Sequence, residues 1–363
     1  MQIREVGKTG EKETAEMQSR TEGKNGFWSR AWVVCLTAVF CNFLWGSAFP
    51  CIKAGYQLFQ ISSEDVAGRI LFAGARFALA GLLVICIGSL QAKHFLHPVR
   101  TSIRPVIVLM FFQTILQYAL FYSGLANASG VSSAIIESSN IFLTILIAVY
   151  LFHYEKMTSR KLAGSIIGFL GVLLVQIPVG GGTFGFSFTG EGFILLSAIS
   201  SALSAGFIKK YSQTEDPVML SGWQFLLGGL VLAAGGWLAG GRLKPATGGA
   251  WILLLYMAFI SAVAYTLYSI LLKYNAVSRV AVYNFTNPLF GVLLSALILG
   301  EKNQAFSVLG LLALLLVTIG IVMVNRTGGW ASAEVRGKMK RESGDRAVPD
   351  LEEKVSETGK SGK

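Results

Sequence analysis

Arg76 and Glu137 are the residues of this sequence most in need of a chemical explanation, because each is an ionisable side chain inside a long apolar run. A charge held in hydrocarbon costs at least about 2.5 to 3.5 kcal/mol near a helix centre, so such a residue points to function by default. Arg76 falls roughly nine residues into its run, about 13 Å at 1.5 Å per residue, and Glu137 roughly six, about 9 Å. If both runs enter the bilayer from the same face, the two depths nearly match. The sharp reading is that they meet in a central cavity, as a substrate-orienting pair or a proton-sensitive switch. The plain reading is a structural ion pair that locks two helices together.

A second group consists of amides and aromatics inside apolar runs: Asn42, Trp45, Gln113, Gln117, Tyr118, Tyr122, Asn140, Trp223, Gln224, Tyr265, Tyr268 and Asn287. Positions 113, 117, 118 and 122 share one face at helical spacing, and a polar stripe of that kind should avoid lipid. They could bind a substrate, or they could hydrogen-bond between helices at about 0.6 to 2 kcal/mol per contact. Asn287-Pro288 interrupts its run, since proline removes a backbone donor and frees a carbonyl. Broken helices of that kind line a cavity or are satisfied by a neighbouring helix.

Other chemistries lack their residues. The three histidines, His94, His97 and His153, lie in connections or at a run's end, and there is no His-Glu-x-x-His zinc motif. Asp65, Asp216, Asp345 and Asp350 all lie outside the apolar runs, which leaves no intramembrane aspartyl pair. No phosphate-binding Gly-x-x-x-x-Gly-Lys loop is present. Cys35, Cys41, Cys51 and Cys86 sit in or beside apolar runs without metal-ligand spacing and read as small hydrophobes. The expectation is therefore no catalytic centre, no metal and no cofactor.

The elements that position these side chains are apolar helices. Hydrophobic residues make up 53% of the chain and charged residues 14%, with a mean hydropathy of +0.58. Soluble domains carry about 25% charged residues, so a soluble enzyme is excluded. Crossing a bilayer takes about 20 apolar residues. Ten stretches qualify: residues 32–53, 67–90, 105–124, 131–152, 161–178, 190–209, 217–239, 250–272, 279–299 and 305–325. Pro105 and Pro217 occupy first-turn positions, and Asp216 is placed to cap the seventh span. Gly164, Gly168 and Gly171 give span five a small-residue face, suited to internal packing or to a homodimer surface.

Orientation follows from the connections, because Lys and Arg near a span stay on the cytoplasmic side. With the N-terminus inside, Lys93, Arg100, Arg104, Lys156, Arg160, Lys161, Lys209, Lys210, Lys273 and Arg279 lie inside, against Lys53, Arg242, Lys244 and Lys302 outside, with Arg69 at the outer rim of span two. Residues 1–31 and 326–363 then read as disordered cytoplasmic tails of a plasma-membrane protein. The net charge of +11 borders apolar spans without forming a stripe with exposed aromatics, so it favours an anionic lipid surface over nucleic acid.

The ten spans also divide into two fives. Glu155-Lys156 and Glu301-Lys302 each follow an apolar span, and Gly164 and Gly310 lie nine residues after each Glu, giving offsets of 301−155 = 146 and 310−164 = 146. Tyr118 and Tyr265 are 147 apart, as are Asn140 and Asn287. An odd number of spans per copy inserts the second copy upside down, which is the architecture of secondary transporters. A receptor or scaffold needs no such pseudo-symmetry.

NFLWGSAFPCIKAGY on span one, ARFALAGLL on span two and the twice-repeated Glu-Lys boundary before a Gly-rich helix resemble the EamA family of the drug/metabolite transporter superfamily, over about residues 32–325. The resemblance implies an all-α membrane protein in which residues 32–178 and 190–325 are inverted five-helix repeats. Spans 1–4 and 6–9 would surround a central cavity, with spans 5 and 10 as outer supports. It further implies transport of small polar metabolites such as amino acids or nucleosides, driven where coupled by a proton or sodium ion. The sequence departs from the family where span four carries Asn140-Ile141 in place of a Ser-Pro-type motif, while span nine keeps Asn287-Pro288, and where Glu137 is more polar than the family pattern.

Overall fold

The computed structural model describes residues 26–62, 64–125, 127, 136–137, 139–176, 187–299 and 308–325. Among these residues every regular element is helical. In chain order they are α1 (Ala31–Leu58), α2 (Val66–Ala92) and α3 (Ile103–Leu109, continued by the π-helical Met110–Leu116 and by Gln117–Leu125). Next come α4 (Asn140–Leu146, continued by the π-helical Ile147–Leu151), α5 (Ser159–Gln176) and α6 (Phe193–Tyr211, entered through the π turn Phe188–Gly192). Then follow α7 (Pro217–Leu238), α8 (Gly249–Tyr274), α9 (Val277–Ala281, the 3-10 turn Val282–Phe285 and Thr286–Leu299) and α10 (Val308–Asn325).

Six of these helices, α1, α2, α3, α6, α7 and α8, are long and apolar enough to cross a membrane, and shorter apolar helices cover Asn140–Leu151 and Leu315–Asn325. Of the expected spans, residues 131–135, 138, 177–178 and 305–307 lie outside the described residues, as do Glu301 and Lys302. Helix α1 runs on to Leu58, past the expected end at residue 53, with Pro50 inside it. The apolar surface faces outward: Leu82, Ile87 and Leu90 on α2, and Ile252, Leu255 and Phe259 on α8, are exposed. Polar side chains are turned inward, with Asn42 and Gln224 fully buried and Arg76 only 5% exposed. That distribution inverts the pattern of a soluble protein, where Arg is almost never buried unless paired.

Helix starts follow the expected local chemistry. Asp216 accepts from the backbone N–H groups of Val218 (2.6 Å) and Met219 (3.2 Å), with Pro217 in the first helical turn. Asp65 does the same for α2, accepting from Gly68 N at 2.7 Å.

Packing is organised around two helix pairs. Helices α2 and α7 make the most extensive contact in the molecule, and α5 packs along α10. Around them, α1 lies against α8 and α9, while α6 lies against α3 and α4. The α2–α7 crossing is close enough that backbones touch: a Cβ on Gly229 would stand 2.2 Å from Ala78 N, and one on Gly81 would stand 2.2 Å from Leu226 N. The glycine face of α5 is used internally. A Cβ on Gly164 would meet the Gly320 carbonyl oxygen of α10 at 2.9 Å, so this stripe is a seam between helices of one chain and not a free dimer surface.

Candidate functional site

The centre of the bundle is aromatic. Phe77 of α2 stacks on Phe225 of α7, with ring centroids 5.3 Å apart at 13°. Tyr118 of α3 lies 4.3 Å from Phe77, and Tyr265 of α8 lies 4.9 Å from Phe225. The Tyr118 and Tyr265 hydroxyls are hydrogen-bonded to each other. Trp45 of α1 packs on Tyr265 and Tyr268 at 5.0 and 5.2 Å, and Tyr122 sits 6.2 Å from Tyr118. Five helices thus bring aromatics to one place: the predicted ones of α1, α3 and α8, joined by Phe77 of α2 and Phe225 of α7, which were not predicted. Aromatic pairs add about 0.5 to 1.5 kcal/mol beyond burial, so this cluster is a firm wall.

Arg76 enters from α2 with its guanidinium carbon 4.4 Å from the centroid of Phe77 and 5.8 Å from that of Tyr118. The phenols of Tyr122, Tyr118, Tyr265 and Tyr56 stand within electrostatic reach of it. Glu137 also lies within electrostatic reach of Tyr265. The expected ion pair between Arg76 and Glu137 is not formed: the described residues contain one salt bridge, between Lys161 and Glu155. Instead the cation rests on the aromatic rings, an arrangement that stabilises a buried guanidinium by about 2 kcal/mol or more when desolvated. Both polar ends keep a buried atom without a protein partner, Nε of Arg76 and Oε2 of Glu137.

Several other buried atoms share that condition: Oδ1 of Asn42, Nε1 of Trp45, and Oδ1 of Asn284 and of Asn287. Ser165, Thr266 and Asn325 on α5, α8 and α10 also carry such an atom. An unsatisfied buried polar group costs about 1 to 3 kcal/mol, so those that border the aromatic cluster, on Trp45, Arg76, Glu137 and Asn284, are the ones a polar ligand there could satisfy.

The remaining predicted residues are engaged with the protein. Gln224 donates from Nε2 to Gln113 Oε1 at 3.0 Å and accepts from Thr114 Oγ1 at 2.6 Å, tying α7 to the π-helical part of α3. That π segment also alters the stripe expected along span three. A wider turn at Met110–Leu116 re-aims its side chains, so Gln113 faces α7 while Tyr118, just beyond the segment, faces Tyr265. Gln117 is buried, and its backbone carbonyl accepts from Ser197 Oγ at 2.9 Å. Asn140 Oδ1 accepts from Thr144 Oγ1 at 2.9 Å within α4.

Trp223 is directed away from the centre, donating from Nε1 to the Leu96 carbonyl at 2.7 Å and standing edge-on to Phe95. Trp223→Phe is therefore expected to lower stability by about 1 kcal/mol through the lost hydrogen bond while leaving ligand affinity unchanged. Thermal unfolding of the purified variant with and without ligand checks both halves of that expectation.

Besides Phe77 and Phe225, sequence reasoning missed three participants. Tyr56, whose buried hydroxyl stands beside that of Tyr122, lies beyond the expected end of span one, and Arg69 at the rim of span two stands 5.3 Å from its ring. Asn284 donates to the Tyr268 hydroxyl at 3.2 Å. Its signal was available, since the carbonyl freed by Pro288 is that of residue 284, four positions earlier.

The chain matches the model of the EamA-like transporter family twice, over residues 32–177 and 188–326. It is 26% identical over 303 residues, 81% of its length and 69% of the relative's, to a WAT1-related chloroplastic protein of Arabidopsis thaliana. It is 29% identical over 301 residues, 80% of its length and 90% of the relative's, to the uncharacterized transporter YvbV of Bacillus subtilis. A further relative is the uncharacterized inner membrane transporter YedA of Escherichia coli, 23% identical over 77% of this chain and 87% of that one. A solved crystal structure superposes with a TM-score of 0.65 over 83% of this chain and 98% of the other at 16% identity, a likeness of fold. The chain belongs to the EamA-like transporter family and is a multi-pass membrane transporter.

Proposed function

We propose that the protein is a secondary carrier that moves a small amphipathic metabolite, an amino acid, nucleoside or related compound, through a central site between two inverted five-helix repeats, with both termini in the cytoplasm. The observation that carries this reading is that Arg76 and Glu137 both stand within electrostatic reach of Tyr265 yet form no ion pair, each with a buried polar atom unpartnered. A charged group consumed in an ion pair is not free for a ligand. Two opposite charges held apart suit a zwitterion, whose carboxylate would meet Arg76 and whose ammonium would meet Glu137. Its apolar part would lie against Trp45 and the two rings on which Trp45 packs, Tyr265 and Tyr268.

The repeat reading is supported by the pairing of helices. If residues 32–178 and 190–325 are equivalent, α2 corresponds to α7, α3 to α8 and α5 to α10. A two-fold axis then makes α2 pack on α7 and α5 on α10, and exchanges the contacts of α1 with α8 and α9 for those of α6 with α3 and α4. All of these contacts occur. Tyr118 and Tyr265, equivalent by their offset, meet each other, as such residues do beside an axis. The family match in two consecutive segments agrees with the same division.

Glu137 is the residue placed to couple transport to a proton. Glu137→Gln keeps the shape and removes the charge, and is expected to flatten the pH dependence of uptake while lowering its rate. Uptake in vesicles measured between pH 5.5 and 8 is the check. An unaltered rate and pH profile would remove Glu137 from that role. The wider reading is tested by screening the purified protein for thermal stabilisation by amino acids, nucleosides and cationic drugs, because a bound solute raises stability in proportion to RT ln(1 + [L]/Kd).

A further inference from the structure

The turn between α8 and α9 is gripped from both sides by residues of other elements. Glu155, in the connection after α4, accepts from the Ser278 backbone N–H at 2.9 Å through Oε1 and from the Ser278 hydroxyl through Oε2. Lys161 at the start of α5 steadies the same carboxylate at 2.6 Å. Lys209, near the end of α6, donates to the carbonyls of Lys273 (3.0 Å) and Asn275 (2.8 Å), and Gln213 donates to Lys273 O at 3.0 Å. A carboxylate therefore holds the beginning of α9 and an ammonium holds the end of α8, each opposite the helix end whose partial charge it complements. Glu155, Ser278 and Asn275 are all buried.

These bonds cross a boundary that the other end-of-helix bonds do not. By their packing, α3, α4 and α6 form one group and α1, α8 and α9 another. Tyr154 bonds to Gly206 O within the first group, and Asn275 to Trp28 O within the second. At the opposite end, Lys244 N and Ala246 N pair with the carbonyls of Phe59 and Leu58, joining the approach to α8 with the end of α1. Among the described residues, the bonds from Glu155, Lys209 and Gln213 reach from the first group to the turn of the second at this end.

We infer that Glu155, Lys209 and the Ser278-containing turn form a latch that holds the cytoplasmic entrance to the central site shut, and that a carrier cycle must break it to face inward. This rests on the carrier and orientation readings above. Charge-assisted bonds to buried groups are the strong kind, and replacing one partner leaves the other unsatisfied, so loss of either arm shifts the closed-to-open ratio on the order of tenfold.

The reporter is native. Cys41 is fully buried on α1, one turn before Trp45 and within electrostatic reach of Tyr268, so it lies between the latch and the aromatic cluster. In a background carrying Cys35→Ser, Cys51→Ser and Cys86→Ser, modification of Cys41 by a membrane-impermeant maleimide is followed in intact cells and in inverted vesicles. Glu155→Gln and, separately, Lys209→Met are each expected to raise the labelling rate about tenfold from the cytoplasmic face only. Unchanged labelling in both variants overturns the latch, and so does an equal rise from both faces, which would report loosening of the whole bundle. A rise confined to the outer face keeps the latch and overturns the orientation. Failure of any solute to be transported alongside the expected labelling shift would count against the carrier reading alone.

Discussion

Gly229→Ala is expected to cost the protein much of its stability, whereas Gly235→Ala, on the same helix, is expected to leave it unchanged or slightly raised. The difference lies in what a methyl group would meet. At Gly229 the new carbon would stand 2.2 Å from the backbone nitrogen of Ala78 and 2.7 Å from the Phe77 carbonyl carbon, neither of which can swing aside. At Gly235 there is nothing within 4 Å. Overpacking a tight contact costs about 1 to 3 kcal/mol, and here relief requires parting two helix backbones, which places the effect at the upper end. Gly81→Ala, facing Leu226 N at 2.2 Å, repeats the defect a short distance away. Combining it with Gly229→Ala should leave little folded protein. The measurement is the melting midpoint of the monodisperse fraction in detergent, with Gly235→Ala alongside. Equal midpoints for Gly229→Ala and Gly235→Ala would mean that α2 and α7 do not cross this closely.

The second large effect is on ligand recognition. Arg76→Gln is expected to weaken binding of a carboxylate-bearing substrate by roughly 10- to 100-fold, corresponding to the 1.5 to 3 kcal/mol typical of a hydrogen bond to a charged group. Because no acidic side chain among the described residues lies within 4 Å of Arg76, the fold should tolerate the change better than it would tolerate loss of one half of a buried ion pair. Arg76→Lys should not restore affinity, since a lysine lacks the planar guanidinium that lies over Phe77 and Tyr118. Equilibrium binding with the three proteins side by side distinguishes the roles. Affinity retained in Arg76→Gln together with a collapse in stability would make the arginine a packing element.

Much of this arrangement was legible in the amino-acid sequence, for identifiable reasons. Apolar runs of bilayer length are long-range patterns that single substitutions do not hide, and α2, α6, α7 and α8 begin and end within a few residues of the expected spans. Caps and first-turn prolines act locally, so Asp216 and Pro217 fixed the start of α7 correctly. Polarity inside an apolar run signals that a side chain is turned away from lipid, and Asn42, Gln113 and Gln224 are indeed buried.

What that signal does not encode is which neighbour each side chain meets. Arg76 and Glu137 matched in depth, yet depth along two helices leaves their rotation free, and the arginine turned onto Phe77 instead. Gln113 and Gln224 looked like ligand contacts and bond to each other, because the π turn in α3 alters a phase that straight-helix spacing assumes constant. Trp223 immediately precedes Gln224 in sequence but points to a loop carbonyl, since adjacent helical residues face about 100° apart. The latch could not have been anticipated either. In the sequence Glu155 is half of a repeated Glu-Lys boundary, and its bond to Ser278 spans 123 residues.

The most direct test of the account is counterflow in reconstituted vesicles, preloaded in turn with unlabelled amino acids, nucleosides and cationic drugs and supplied with a trace of each labelled solute outside. The prediction is transient accumulation of at least one zwitterionic amphipathic solute, abolished by Tyr265→Ala at the aromatic wall and strongly reduced by Arg76→Gln. Absence of counterflow for every solute, from protein that remains monodisperse and heat-stable, would contradict a carrier with its site between α2, α3 and α8.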